Sequence, residues 1–112
     1  MGSERRQHER YELLAQVELS HGAGNVATLA AINISAGGVL LRNDQNAAFE
    51  VGESIRIHFD VPELRADFSM EATVIRVIGA TTKAGALAAM WTSSDAVASA
   101  ALAQLLWTLK GS

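Results

Sequence analysis

Ile55-Arg56-Ile57-His58-Phe59-Asp60 alternates apolar and polar side chains without a break. A period of two marks a strand with one face buried and one face in water. A helix would scatter Ile55, Ile57 and Phe59 around its circumference. Val51-Gly52-Glu53 reads as the turn before this strand, and Pro62, the only proline, closes it.

The same short-period pattern recurs on both sides. Downstream, Phe68, Met70, Ala72, Val74 and Arg76 share one parity, while Glu71, Thr73, Ile75 and Val77 share the other. This predicts one long strand over 68–78. A loop over 79–85 then leads to a last strand over 86–91. Upstream, 26–34 and 39–41 read as apolar strands separated by Ser35-Ala36-Gly37-Gly38, and Ala15, Val17 and Leu19 face one way in a first strand over 13–19. His21-Gly22-Ala23-Gly24-Asn25 is a turn cluster. About six short strands joined by glycine and polar turns predict a small barrel or sandwich.

The C-terminus changes period. Val97, Ala101, Leu105 and Leu109 step by four, with Ala98, Leu102 and Leu106 in the adjoining row, so 94–110 is expected to be a helix. Ser93 or Ser94 is its expected cap, with Asp95 in the first turn and Gly111 just past the end. Its apolar face is expected to cover the open face or end of the β layer. A homodimer interface is the rival reading. Residues 1–12 carry little apolar surface and are expected to form a flexible N-terminal arm, leaving 13–112 as the folded unit.

Composition narrows the function. With 112 residues, 49% of them hydrophobic and 19% charged, the chain suits one folded domain. The absence of cysteine excludes disulfides, thiolate metal sites and cysteine nucleophiles. No apolar run has the roughly 18 residues of a membrane span, so the expectation is a cytoplasmic protein that does not insert in membranes. The net charge of −3 argues against DNA or RNA as partner. Seven of the nine cations are arginine, however, the side chain suited to bidentate grip of a phosphate or a base edge. His8, His21 and His58 lack metal-ligand spacing, His58 falls on the solvated parity of its strand, and Glu50 and Glu53 read as surface carboxylates. Ser35 has no histidine or lysine placed to activate it. No catalytic residues, metal or cofactor are therefore expected.

Two constellations remain. Arg6-Gln7-His8-Glu9-Arg10 is an Arg-x-x-x-Arg with Arg5 just before it, and alone it reads as a solvated tail. Asn33-Ile34-Ser35-Ala36-Gly37-Gly38 is an Asn-x-Ser-x-x-Gly, and alone it reads as a hairpin turn. In this order, and a few tens of residues apart, the two resemble the PilZ domain, a bacterial receptor module for cyclic di-GMP. The resemblance covers essentially the whole chain. It implies a mainly β fold, a six-stranded antiparallel barrel with a C-terminal helix. It implies that Arg6 and Arg10 grip the ligand's guanine edges and phosphates, and that Asn33 and Ser35 hydrogen-bond a guanine. Gly38 would leave room for the base. Arg5 would accompany binding of an intercalated pair of ligands. The arm would order over the ligand and create a surface for a downstream protein. Two departures stand out. Asn33 replaces the family's usual Asp, and Ala88-Ala89-Met90-Trp91 replaces a Gly-x-x-Phe, so that Ala88 adds a methyl where a guanine would lie and Trp91 is expected in the core. The alternative is an adaptor barrel that binds a protein partner without ligand.

Overall fold

The computed structural model of the chain describes residues 9–22, 24–43, 49–79 and 85–111. Its strands are β1 Tyr11–His21, β2 Asn25–Ile34, β3 Gly38–Asn43, β4 Ser54–Val61, β5 Ala66–Ile78 and β6 Gly85–Trp91, followed by helix α1 Ala96–Lys110. All pairings are antiparallel, and the order β1-β2-β3-β6-β5-β4 closes where β4 returns to β1. The fold is thus a six-stranded barrel and not a sandwich, and closure leaves no free sheet edge.

Strand alternation builds the core. Leu19, Leu29, Ile34, Leu41, Ile57, Phe59 and Leu87 are fully buried inside the barrel. The Phe59 ring stacks on Phe68 at 4.9 Å. Helix α1 lies against β5 and β1 and buries Ala98, Leu102 and Leu105. Burial of each of the two leucines stabilises the lid by about 1.5–3 kcal/mol.

Several sequence expectations shift. Asp95, not a serine, caps α1: its carboxylate accepts the Val97 N–H at 2.9 Å, so the helix starts at Ala96. Val97 begins the predicted apolar row yet is 79% exposed, because the row turns onto the barrel only further along. Tyr11 and Glu12, read as arm, pair with Ile34 and Asn33 in β1. His58 is half-buried rather than freely solvated, with Nδ1 2.8 Å from the Ser69 hydroxyl and Nε2 3.3 Å from Asp67. Glu53 is not a bare surface carboxylate either. It meets the His21 ring at 3.0 Å and accepts the Glu50 N–H.

Of three register shifts in the sheet among the described residues, those in β2 and β5 set which side chains reach the outer face around the site. Ile32 is an extra residue of β2 against β3, since Ala31 pairs with Leu41 and Asn33 with Leu40. Ile75 is an extra residue of β5 against β6, since Val74 pairs with Ala89 and Arg76 with Ala88. Each bulge flips the strand parity beyond it. Ile34 therefore points inward after Ala31, and Asn33 points outward. Beyond Val74, Val77 packs on the core while Arg76 is exposed, which corrects its predicted place on the inner parity.

Candidate functional site

Residues 35–38 form the turn between β2 and β3, and their chemistry locks it. The Ser35 N–H donates to the Gly38 carbonyl at 2.8 Å. The Ser35 hydroxyl oxygen accepts the N–H groups of Gly37 and Gly38 at 3.1 and 3.2 Å. The end of β6 holds the turn from below: the Trp91 N–H donates to Gly37 O at 3.0 Å, and the Trp91 indole N–H donates to Ser35 O at 2.9 Å. Trp91 also meets Phe59 edge-on at 6.0 Å. It thus packs on the core, as expected, and in addition staples the turn.

Gly38 answers a steric demand of the protein itself. A Cβ there would lie 2.2 Å from the Ala89 carbonyl oxygen, inside any permissible contact. Its backbone needs no unusual dihedral; β3 and β6 simply run too close for a side chain.

Beside this turn lies a cleft of about 190 Å³ lined by Arg10, Asn33, Ser35, the turn backbone, Val39, Leu40, Ile75, Ala89 and Met90. Polar groups mark one side, while Leu40, Ile75 and Met90 form an apolar floor. Ile75 and Met90 are each about half exposed, an uncommon place for two large apolar side chains side by side. Arg10, just ahead of β1, brings a cation to the polar side. The next residue, Tyr11, donates its hydroxyl to Glu9 at 3.1 Å. Desolvation and then the Glu9 carboxylate push the Tyr11 phenol above its ordinary pKa.

The cross-strand register sets out the rest of this face. Asn33 pairs with Leu40, Leu40 with Ala88, and Ala88 with Arg76, in one outward row across four strands. Of the residues singled out in the sequence, the cleft gathers Arg10, Asn33, Ser35 and Gly38. Ala88 stands in the row beside it and does not line it. Arg5 and Arg6 lie outside the described residues. Sequence reading missed Leu40, Ile75 and Met90. The available signal was Ile75, a large apolar residue on the outer parity of its strand.

Chemically, the cleft suits a flat, polar-edged, anionic ligand. An Asn amide offers both donors and an acceptor, a guanidinium offers a charged fork, and the apolar floor offers a surface for a ring. The Ser35 hydroxyl is engaged with two turn amides, and among the described residues no histidine lines the cleft. Among the described residues, no group of three or more His, Asp or Glu is placed to hold a metal. Nor is any described helix long and apolar enough to cross a membrane.

Comparison with known proteins decides the family. The model of the PilZ domain matches residues 4–106. The chain belongs to the PilZ domain family. A search of curated protein sequences finds no match. Among solved structures, this PilZ domain is similar to the PilZ domain of Escherichia coli YcgR with c-di-GMP, at TM-score 0.73 and 14% identity, covering 96% of this chain and 92% of that one. It is also similar to the Klebsiella pneumoniae MrkH–c-di-GMP complex, at TM-score 0.77 and 16% identity, covering 96% and 53%. The Bacillus subtilis inhibitor of motility MotI/DgrA matches at TM-score 0.72 and 23% identity, again over 96% and 53%. The chain thus spans about half the length of the latter two. At these identities the likeness establishes the PilZ fold, and the solved complexes show c-di-GMP bound to relatives.

Proposed function

We propose that this PilZ domain is a non-catalytic receptor for cyclic di-GMP, acting in the cytoplasm. The observation that carries the reading is the convergence of Arg10, Asn33 and the 35–38 turn on one cleft with an apolar floor. Arg10, the last residue of the first motif, lines the same cleft as Asn33 and the 35–38 turn, far from it in sequence. Solved complexes of relatives with c-di-GMP support the ligand class.

In this reading Arg10 and Arg6 grip phosphate and guanine, and Asn33 bonds a guanine edge. Ser35 contributes by holding the turn in shape, and Gly38 by keeping the surface open. Arg5 favours an intercalated pair of ligands. Ligand binding orders the arm ahead of Arg10 and β1, which costs about 1–2 kcal/mol per residue and must be offset by charge-assisted contacts. The ordered arm is the signal, and a downstream protein reads it as a population shift.

Calorimetric titration of cyclic di-GMP into the wild type and into Arg10→Ala, with GMP as control, tests the proposal. Saturable binding that is lost in Arg10→Ala, with the ligand-free melting temperature unchanged, is the expected result. A stoichiometry of two would support the paired ligand. No heat and no thermal shift with the wild type would overturn the receptor reading and favour a ligand-independent adaptor.

A further inference from the structure

We infer that Arg76, which stands beside the cleft and does not line it, is a further ligand-gripping residue that reaches in to hold a phosphate at the end opposite Arg10; this rests on the cyclic di-GMP reading above.

The first support is the bulge. By simple alternation Arg76 would follow Phe68, Met70, Ala72 and Val74 into the core, where an unpaired guanidinium is prohibitively expensive. The extra residue Ile75 turns it outward and lets Val77, opposite Leu87, take the inner place. The same bulge presents Ile75 as part of the apolar floor. One local irregularity therefore supplies a cleft wall and aims a cation beside it.

The second support is position. Arg76 ends the outward row that starts at Asn33 and runs through Leu40 and Ala88. Three strand spacings separate the ends, about 14 Å, and the small Ala88 leaves the path between them low. The third is the lack of a competing use. Arg76 has no ion-pair or hydrogen-bond partner among the described residues, whereas Arg56, on the outer face of β4, pairs with Glu71 at 3.3 Å. A cyclic dinucleotide carries two phosphates on opposite sides of its ring. Arg10 serves one side of the cleft, and a guanidinium fork at Arg76 fits the other bidentately.

The test is titration of cyclic di-GMP into the full chain carrying Arg76→Ala, Arg76→Lys or Arg56→Ala, at two salt concentrations. Arg76→Ala is expected to weaken binding about ten- to a hundred-fold, the range for a hydrogen bond to a charged group, and to flatten the salt dependence. Arg76→Lys should lose less, because it keeps the charge but not the fork. Arg56→Ala should bind as wild type. Ligand-free melting should shift by no more than about two degrees in any of the three, since both arginines are exposed. Wild-type affinity in Arg76→Ala, or an equal loss in Arg56→Ala, would overturn the inference while leaving the receptor reading in place. No binding by the wild type would instead overturn the receptor reading, and this inference with it.

Discussion

On the outer face of β4 and the first half of β5, polar side chains answer one another. Arg56 pairs with Glu71, and His58 bonds Ser69 and Asp67. On the outer face of β2, β3, β6 and the far end of β5, the row is Asn33, Leu40, Ala88 and Arg76, flanked by half-exposed Ile75 and Met90. The bulge at Ile75 is the border between the two. A face whose donors and acceptors are matched across strands gains nothing from a ligand. A face with apolar floor, an unmatched amide and cations at its ends gains contacts only when something binds. The second face is therefore where the proposed cyclic di-GMP reading places the ligand.

The largest effect should come from the seam of the second face. Gly38→Ala forces a methyl into the Ala89 carbonyl and is expected to destabilise the ligand-free barrel by about 3 kcal/mol. Thermal unfolding measures it. A drop of only a degree or two would mean that β3 and β6 can spread, and that this glycine serves the ligand alone. Next comes Trp91→Phe, which keeps a ring against the core but leaves Ser35 O without its indole donor. A loss of about 1 kcal/mol is expected, with faster amide exchange at Gly37 and Gly38. Unchanged exchange would remove Trp91 as the staple of the site. The smallest effect belongs to the matched face. Arg56→Ala breaks an ion pair whose two side chains are each 61% exposed, so a few tenths of a kcal/mol is expected in urea unfolding. A loss above about 1 kcal/mol, outside the range of exposed pairs, would show that face to be structurally important rather than merely satisfied.

Much of this contrast was legible in the chain. The strict alternation of Ile55, Ile57 and Phe59 against Arg56, His58 and Asp60 is observed in β4, because side-chain direction in a regular strand is a local property. The motif pair singled out Arg10, Asn33, Ser35 and Gly38, which line one cleft. The structural duty of Ser35 and Gly38 was half visible: both are turn residues by type, but the steric cause at Gly38 is the backbone of a strand some fifty residues away. His58 could not be read correctly from its own strand, since its partners Ser69 and Asp67 belong to β5.

What the sequence determined alone is therefore the local layer: strand and helix periods, turn chemistry, the lack of cysteine, and the two motifs that resemble PilZ. These depend on residues next to one another. What only the tertiary structure decided is where alternation breaks. At Ile32 and Ile75 the extra residue is set by the register of the neighbouring strand, not by anything in its own. Those two slips turn Asn33 and Arg76 out of the barrel. Register is a property of pairs of strands, and closing the barrel fixes all of the pairs together.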